Sequence, residues 1–181
     1  MKKYDVILAD PPWNFKTWSD RGKGRSAENH YPVMSINDIQ ELPVRKLCAE
    51  NCALFLWVTW THLRYAFDIM QAWGFIYRTD AWVWSKKNKS GTRFMGMGYY
   101  TRANTEICLL AVKGKMPVSR HDVLAFIDSP IRKHSQKPEV QYLKIEALYP
   151  DMKYLELFAR KKRDGWDSWG NEVKNDIELE E

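Results

Sequence analysis

No apolar run in this 181-residue chain approaches the roughly 20 residues needed to cross a bilayer; the longest is Cys52–Val58. Met1-Lys2-Lys3-Tyr4-Asp5 leads straight into an apolar segment without a cleavable signal pattern, so no membrane partner and a cytoplasmic location are expected. Cysteine is scarce. Cys48, Cys52 and Cys108 are too few for a disulfide framework, and buried thiols are expected instead. Cys48 and Cys52 have the spacing of half a zinc site, but no second pair follows. His30, His62, His121 and His134 are scattered without a His-x3-His pair, and no metal is predicted. Internal repeats and low-complexity tracts are also missing, and the length suits one domain.

Aromatic residues are plentiful, with nine Trp and nine Tyr. Trp57, Trp82 and Trp84 lie in strand-like stretches, whereas Trp13, Trp18, Tyr31, Tyr99, Tyr100, Trp166 and Trp169 lie in loop-like ones beside polar residues. Aromatics near Lys and Arg suit stacking on bases. The net charge of +5 is unevenly spread. From Glu172 onward five acids face Lys174 alone, while residues 1–171 carry 27 bases against 18 acids. A basic body suits a polyanionic partner. The expected organisation is one domain over 1–171 and an acidic, mobile, solvated tail over 172–181.

Strand-like and helix-like segments alternate, which predicts an α/β fold with helices on both faces of a sheet. Tyr4–Ala9, Cys52–Val58, Ile76–Ser85, Thr105–Val112, Val123–Ile127 and Tyr154–Phe158 read as strands. Ser35 followed by Asp38 caps a helix reaching Leu47, and Thr61 opens another that ends at Gly74. Pro138 stands where a helix begins, and Pro150 stops it. Two long loops remain. The first, 14–34, carries Lys16, Arg21, Lys23 and Arg25; the second, 86–103, carries Lys86, Lys87, Lys89, Arg93 and Arg102 and no acid. Loops of about twenty residues in a compact domain tend to be functional or disordered.

Asp10-Pro11-Pro12-Trp13 ends the first strand, and the carboxyl ends of strands line the ligand crevice of open α/β sheets. These four residues meet a specific chemical need. The exocyclic amine of adenine is a poor nucleophile because its lone pair is delocalised into the ring. Methylating it requires acceptors that hold both amino hydrogens and favour a tetrahedral nitrogen. The Asp10 carboxylate can take one hydrogen and the Pro11 carbonyl the other, with Pro12 contributing no competing N–H. Trp13 offers a flat face to a base drawn out of its stack. Displacement at a sulfonium methyl then depends on positioning.

Asp10-Pro-Pro-Trp13 after a buried strand resembles the signature of the MT-A70 family of adenine methyltransferases. The resemblance spans about 4–172. It continues through Tyr31-Pro-Val-Met-Ser35, Leu54-Phe-Leu-Trp-Val-Thr59, Val112-Lys-Gly114, His134-Ser-Gln-Lys-Pro138, Glu156-Leu-Phe-Ala-Arg160 and Gly165-Trp-Asp-Ser-Trp-Gly-Asn171. It implies a Rossmann-like methyltransferase fold with a mostly parallel sheet and a permuted order, the catalytic segment preceding the cofactor segment. It also implies S-adenosylmethionine as cofactor, contacted by Asp10, Lys137, Phe158, Arg160 and Asn171, with Glu172 placed to accept from ribose hydroxyls. Lys137 precedes Pro138 at a helix N-terminus, a natural place for the cofactor's carboxylate. The chain departs from the eukaryotic catalytic subunit at Lys162-Arg163, where that protein has His-Asn, and at Glu172, where it has Gln. Phe158-Ala-Arg160 also contains no glycine-rich cofactor fingerprint.

The expected substrate is nucleic acid, DNA ahead of RNA, since a small single-domain member resembles bacterial and phage DNA enzymes. Asn14, Tyr31, Lys86, Lys87, Arg93 and Arg102 are the predicted substrate contacts, with selectivity coming from the two loops, a homodimer or a partner subunit. Other chemistries fit less well. A cytosine-carbon methyltransferase needs a nucleophilic cysteine, typically after proline, whereas Leu47, Asn51 and Ile107 precede the three here. A zinc deaminase needs Pro-Cys-x-x-Cys. Methylation of a protein glutamine favours Asn-Pro-Pro-Tyr. A catalytically silent nucleic-acid-binding subunit is the non-enzyme rival, and such subunits are degenerate at the tetrapeptide that is intact here.

Overall fold

A computed structural model of the chain describes residues 2–13, 34–98, 100–132 and 136–179. Seven strands form one sheet: β1 Tyr4–Ala9, β2 Cys48–Val58, β3 Ile76–Lys87, β4 Thr105–Lys113, β5 Phe126–Pro130, β6 Tyr154–Leu157 and β7 Trp166–Trp169. Their order is β5-β3-β4-β2-β1-β6-β7. Four of the six pairings are parallel, and β4 runs antiparallel to both its neighbours.

Alternation along the strands sorts the core into two layers. Ile7, Ala9, Leu54, Leu56, Leu109 and Leu157 face one way. They pack against α1 Ile36–Glu41, α2 Val44–Leu47 and α3 Leu63–Ala72 through Ile39, Val44, Leu47, Ala66, Ile69 and Met70. Val6, Leu8, Phe55, Trp57, Trp82, Cys108 and Trp166 face the other way, toward Tyr142 and Ile145 of α4 Val140–Leu148. Both faces are therefore covered by helices. All three cysteines are free and buried. Among the described residues no helix is long and apolar enough to cross a membrane.

Several elements differ from the sequence expectation, each for a local reason. Ser35 and Asp38 form the expected capping box, each side chain bonded to the other's backbone N–H at 3.1 Å. The helix stops at Glu41, however. Pro43 forces Leu42 into an extended conformation (φ −55°, ψ 131°), and the chain restarts as the short α2. Strand β2 begins four residues early because Tyr4 pairs with Cys48. Thr61 does not cap α3; it lies inside a 3-10 turn, Trp60–His62, that feeds the helix. Strand β5 is displaced to Phe126–Pro130, where it pairs with Val83–Lys87, and its edge position tolerates Pro130. Trp166 and Trp169 belong to a strand rather than a loop: β7 alternates buried and half-buried residues between Gly165 and Gly170.

Residues 175–179 of the acidic segment contact the rest of the chain. Asp176 accepts from the Ser168 N–H at 2.9 Å and pairs with Lys162. Asn175 accepts from the Gly170 N–H, and Ile177 and Leu179 pack on the core. Asn175 and Asp176 bond to the backbone of β7 and of the glycine that follows it, while Ile177 and Leu179 join the apolar layer. Charge composition alone does not reveal either role.

Candidate active site

The chain leaves β1 for β2 on one side and returns as β6 on the other, which makes the carboxyl end of β1 a topological switch point, the usual place for a ligand crevice. A cleft of about 410 Å³ lies there. Leu8, Asp10, Trp57, Lys137, Gln141, Tyr142, Glu156, Phe158, Arg160 and Glu172 are among its lining residues. Such a volume suits a ligand of cofactor size.

Pro11 and Pro12 end β1 and turn the chain, with the Trp13 N–H donating to the Pro11 carbonyl at 2.8 Å. That carbonyl keeps a second lone pair for another donor. Trp13 does not offer an open face. It is 6% exposed, its indole N–H donates to the Trp57 carbonyl at 3.1 Å, and its ring stacks on His62 with centroids 5.4 Å apart. Its place is that of a pin fastening the tetrapeptide to the end of β2, because a large apolar ring gains more from burial in this layer than from water.

Asp10 meets a partner that sequence reasoning placed elsewhere. The Lys137 ammonium donates to both Asp10 carboxylate oxygens, at 2.8 and 2.7 Å, and lies 3.3 Å from Glu106. Lys86 in turn pairs with Glu106. Two acids and two bases alternate as a chain, and Lys137 also lies over the Trp57 ring at 5.4 Å. Burial pushes the Asp10 carboxyl above its ordinary value, with Lys137 pulling the other way. Burial also opposes ionisation of Glu106, but Lys137 and Lys86 outweigh it and hold that acid below the usual range. The Lys137 pKa is raised because Asp10 and Glu106 together overcome the cost of desolvating it.

The far side of the cleft comes from β6 and β7. Phe158 follows β6 with φ +62°, a left-handed conformation uncommon for a non-glycine residue, and its ring meets Trp169 edge-on at 5.5 Å. Gly170 makes this close approach feasible: a Cβ there would lie 2.2 Å from the Ala159 carbonyl oxygen, and the Ala159 N–H donates to Trp169 O at 2.9 Å. The two chain segments are thus clamped side by side, which brings Arg160 to Glu172 at 2.7 Å on the rim. Asn171 is exposed in the turn after β7 and does not line the cleft.

Three acceptors were not foreseen as site residues. Glu156 lies in β6 between two buried leucines and accepts from the Tyr142 hydroxyl at 3.0 and 3.1 Å. Burial pushes its pKa up to about 7 against the pull of that hydrogen bond. Gln141, buried, accepts from the Trp57 indole at 2.6 Å. Glu106 is the second residue of β4, just before its apolar run Ile107–Val112. An acid inside a buried strand was the available signal in two cases, since such a charge is costly without a partner.

Of the predicted substrate contacts, Lys86 and Lys87 lie in β3 and are paired with Glu106 and Asp128. The loop has no acid of its own, but neighbouring strands supply them. Arg93 pairs with Lys87 only through a backbone β-bridge, and Arg102 donates to the Gly98 carbonyl at 3.4 Å. Asn14 and Tyr31, with Lys16, Trp18, Arg21, Lys23 and Arg25, lie outside the described residues, as do Tyr99 and His134.

Fold and cleft together define an α/β protein that gathers an acceptor carboxylate, a buried lysine and aromatic rings at the switch point of its sheet. The MT-A70 family profile matches residues 4–172, and the chain belongs to that family. Type II methyltransferase M.MunI from Mycoplasma sp is 34% identical, with 98% of this chain and 82% of that protein aligned. Human N(6)-adenine-specific methyltransferase METTL4 is 32% identical, covering 95% of this chain and 38% of its own length. N6-methyladenosine RNA methyltransferase MTA1 of Cryphonectria parasitica is 30% identical, at 94% and 52%. The chain spans most of the bacterial relative but well under two thirds of the other two.

Proposed function

We propose that this chain is an S-adenosylmethionine-dependent methyltransferase that acts on the exocyclic amino group of adenine in nucleic acid, with DNA the first choice of polymer. The single observation that carries the reading is the Asp10 carboxylate lining a cofactor-sized cleft, with the Pro11 carbonyl next to it in the chain. Two acceptors fixed on a rigid turn hold both hydrogens of a planar amine and free its lone pair for an in-line attack. Such preorganisation is worth more than acid–base chemistry for a displacement of this kind.

The cleft fits the cofactor by its donor set as well as its volume. Lys137 would meet the carboxylate, sharing its ammonium with Asp10; Phe158 would cover the adenine ring; Arg160 and Glu172 would close the ribose side, with Asn171 beside them. When bound, S-adenosylmethionine supplies the activated methyl group. The protein's own part is to orient and to exclude water. The acceptor residues come from β1 and the cofactor residues from 137–172, in keeping with a permuted motif order in a domain spanning 1–171 that the acidic segment braces. The human relative is named as specific for adenine, which supports the choice of base. The Mycoplasma relative, named a type II methyltransferase and aligned over 82% of its own length, supports DNA as the first reading. The Cryphonectria relative is named for RNA and supports RNA as the second reading. Selectivity would come from the two long loops, a second copy or a partner subunit.

Incubation with S-adenosylmethionine and unmethylated duplex DNA, single-stranded DNA or RNA, followed by nucleoside separation, tests the proposal. N(6)-methyladenine is expected from the wild type and none from Asp10→Ala. Equal product from both proteins would remove Asp10 from the chemistry, and thermal stabilisation by the cofactor separates an enzyme from a silent subunit.

A further inference from the structure

With Trp13 buried against His62, the stacking surface for nucleic acid has to lie elsewhere. Among the described residues, one indole at the same end of the sheet is exposed. Trp60, just past the carboxyl end of β2, is 47% exposed. Its N–H donates to the Thr105 hydroxyl at 2.9 Å, which satisfies its polar group and fixes the ring's edge to the start of β4. The turn that carries it is held by its own side chains, Thr59 Oγ1 lying 2.7 Å from His62 Nδ1. The ring's faces are what remain for a ligand.

Position gives this ring its meaning. Thr105 is next to Glu106, which contacts Lys137, which contacts Asp10, so Trp60 stands a short chain of contacts from the acceptor carboxylate. It is not part of the cofactor-sized cleft, which opens on the α4 side, whereas Trp60 leads into α3. The connection from β3 to β4 emerges at the same sheet end, since Val58 pairs with Ile107 and Ser85 with Thr105. That connection carries Lys89, Arg93 and Arg102, no acid, and the exposed Met97 and Tyr100. An oriented indole beside a basic, acid-free loop matches the chemistry of an unpaired nucleobase on a phosphate backbone. We infer that Trp60 stacks on the base flanking the target adenine and thereby positions the strand over Asp10. Lys137 and Glu106 stand between Trp60 and Asp10, and that separation fits a neighbouring base rather than the reacting one.

This inference rests on the nucleic-acid reading above but is tested by binding rather than by turnover. Two thymine-rich single-stranded DNAs, each with one adenine, are compared by fluorescence anisotropy: one intact, one abasic at both positions flanking the adenine. Wild type should favour the intact strand about tenfold, within the range of a single base–aromatic stack. Trp60→Ala should bind both strands alike, at the abasic level, and Trp60→Phe should restore most of the preference. Melting temperatures report whether the variants fold. A Trp60→Ala protein that keeps the wild-type preference, or a wild type with none, overturns the inference. Preference without any N(6)-methyladenine would instead support Trp60 and sink the catalytic reading alone.

Discussion

At the floor of the cleft Lys137 sits between Asp10 and Glu106 with its side chain 12% exposed; at the rim Arg160 meets Glu172 with side chains 39% and 47% exposed. The ions are of the same kinds and the distances are alike, yet the two groups do different work. Exposed pairs contribute about 0–1 kcal/mol, because water and salt screen them and two long side chains lose freedom. A buried pair barely offsets its own desolvation, but removing one member strands the other, at about 3–5 kcal/mol. The floor is therefore coupled to folding, whereas the rim contributes little to it.

Breaking the floor should give the larger effect. Lys137→Met keeps an unbranched apolar side chain but removes the ammonium that lies over Trp57, leaving Asp10 and Glu106 facing each other without their shared cation. We expect a loss of about 3–5 kcal/mol of stability near neutral pH, read by urea unfolding. The loss should shrink on acidification, as the stranded carboxyls take up protons. A variant as stable as wild type would mean that the four charges are screened like those of the rim.

Glu156 sharpens the comparison, since it is buried like the floor but bonded to a hydroxyl rather than a cation. Its folded pKa of about 7 lies above the ordinary carboxyl value of 4.5. Burial raises it, Asp10 and Glu139 add to the rise, and the Tyr142 hydroxyl and Lys161 oppose it. Between those two values the folded state retains a proton that the unfolded chain has released. Its contribution to stability is thus fully present below about pH 4.5 and is lost as pH rises through 7. Glu156→Gln should melt above wild type at pH 8, with the gap closing toward pH 5. Parallel melting curves across this range would place Glu156 with the solvated rim.

How much of this was legible beforehand follows from the range of the interactions. β1, the Ser35 cap, the Gly74 stop and the tetrapeptide are set within a few residues, and each could be read from its neighbours. The break at Leu42 was also written locally, in Pro43, and went unread. β7 was hidden because four residues bounded by glycines give too short a period, and only pairing with β6 makes them a strand. The pairing of Lys137 with Asp10 joins positions 127 residues apart, and no spacing rule reaches that far. The Lys86–Glu106 pair spans only 20 residues, but it too depends on strand pairing: a loop without acids looks free until a neighbouring strand supplies one.

The rim should show the smallest effect, and the effect should appear in binding rather than in folding. Glu172→Ala removes the acceptor of the Arg160 Nε–H. Stability should change by less than about 1 kcal/mol, and less still in high salt. If Glu172 also holds the cofactor's hydroxyls, its KM should rise several-fold while kcat stays close to wild type, because such a contact is equal in ground and transition states. A fall in kcat at constant KM would move Glu172 from binding to the reacting geometry. The rim would then share the function of the floor, although its charges remain open to water.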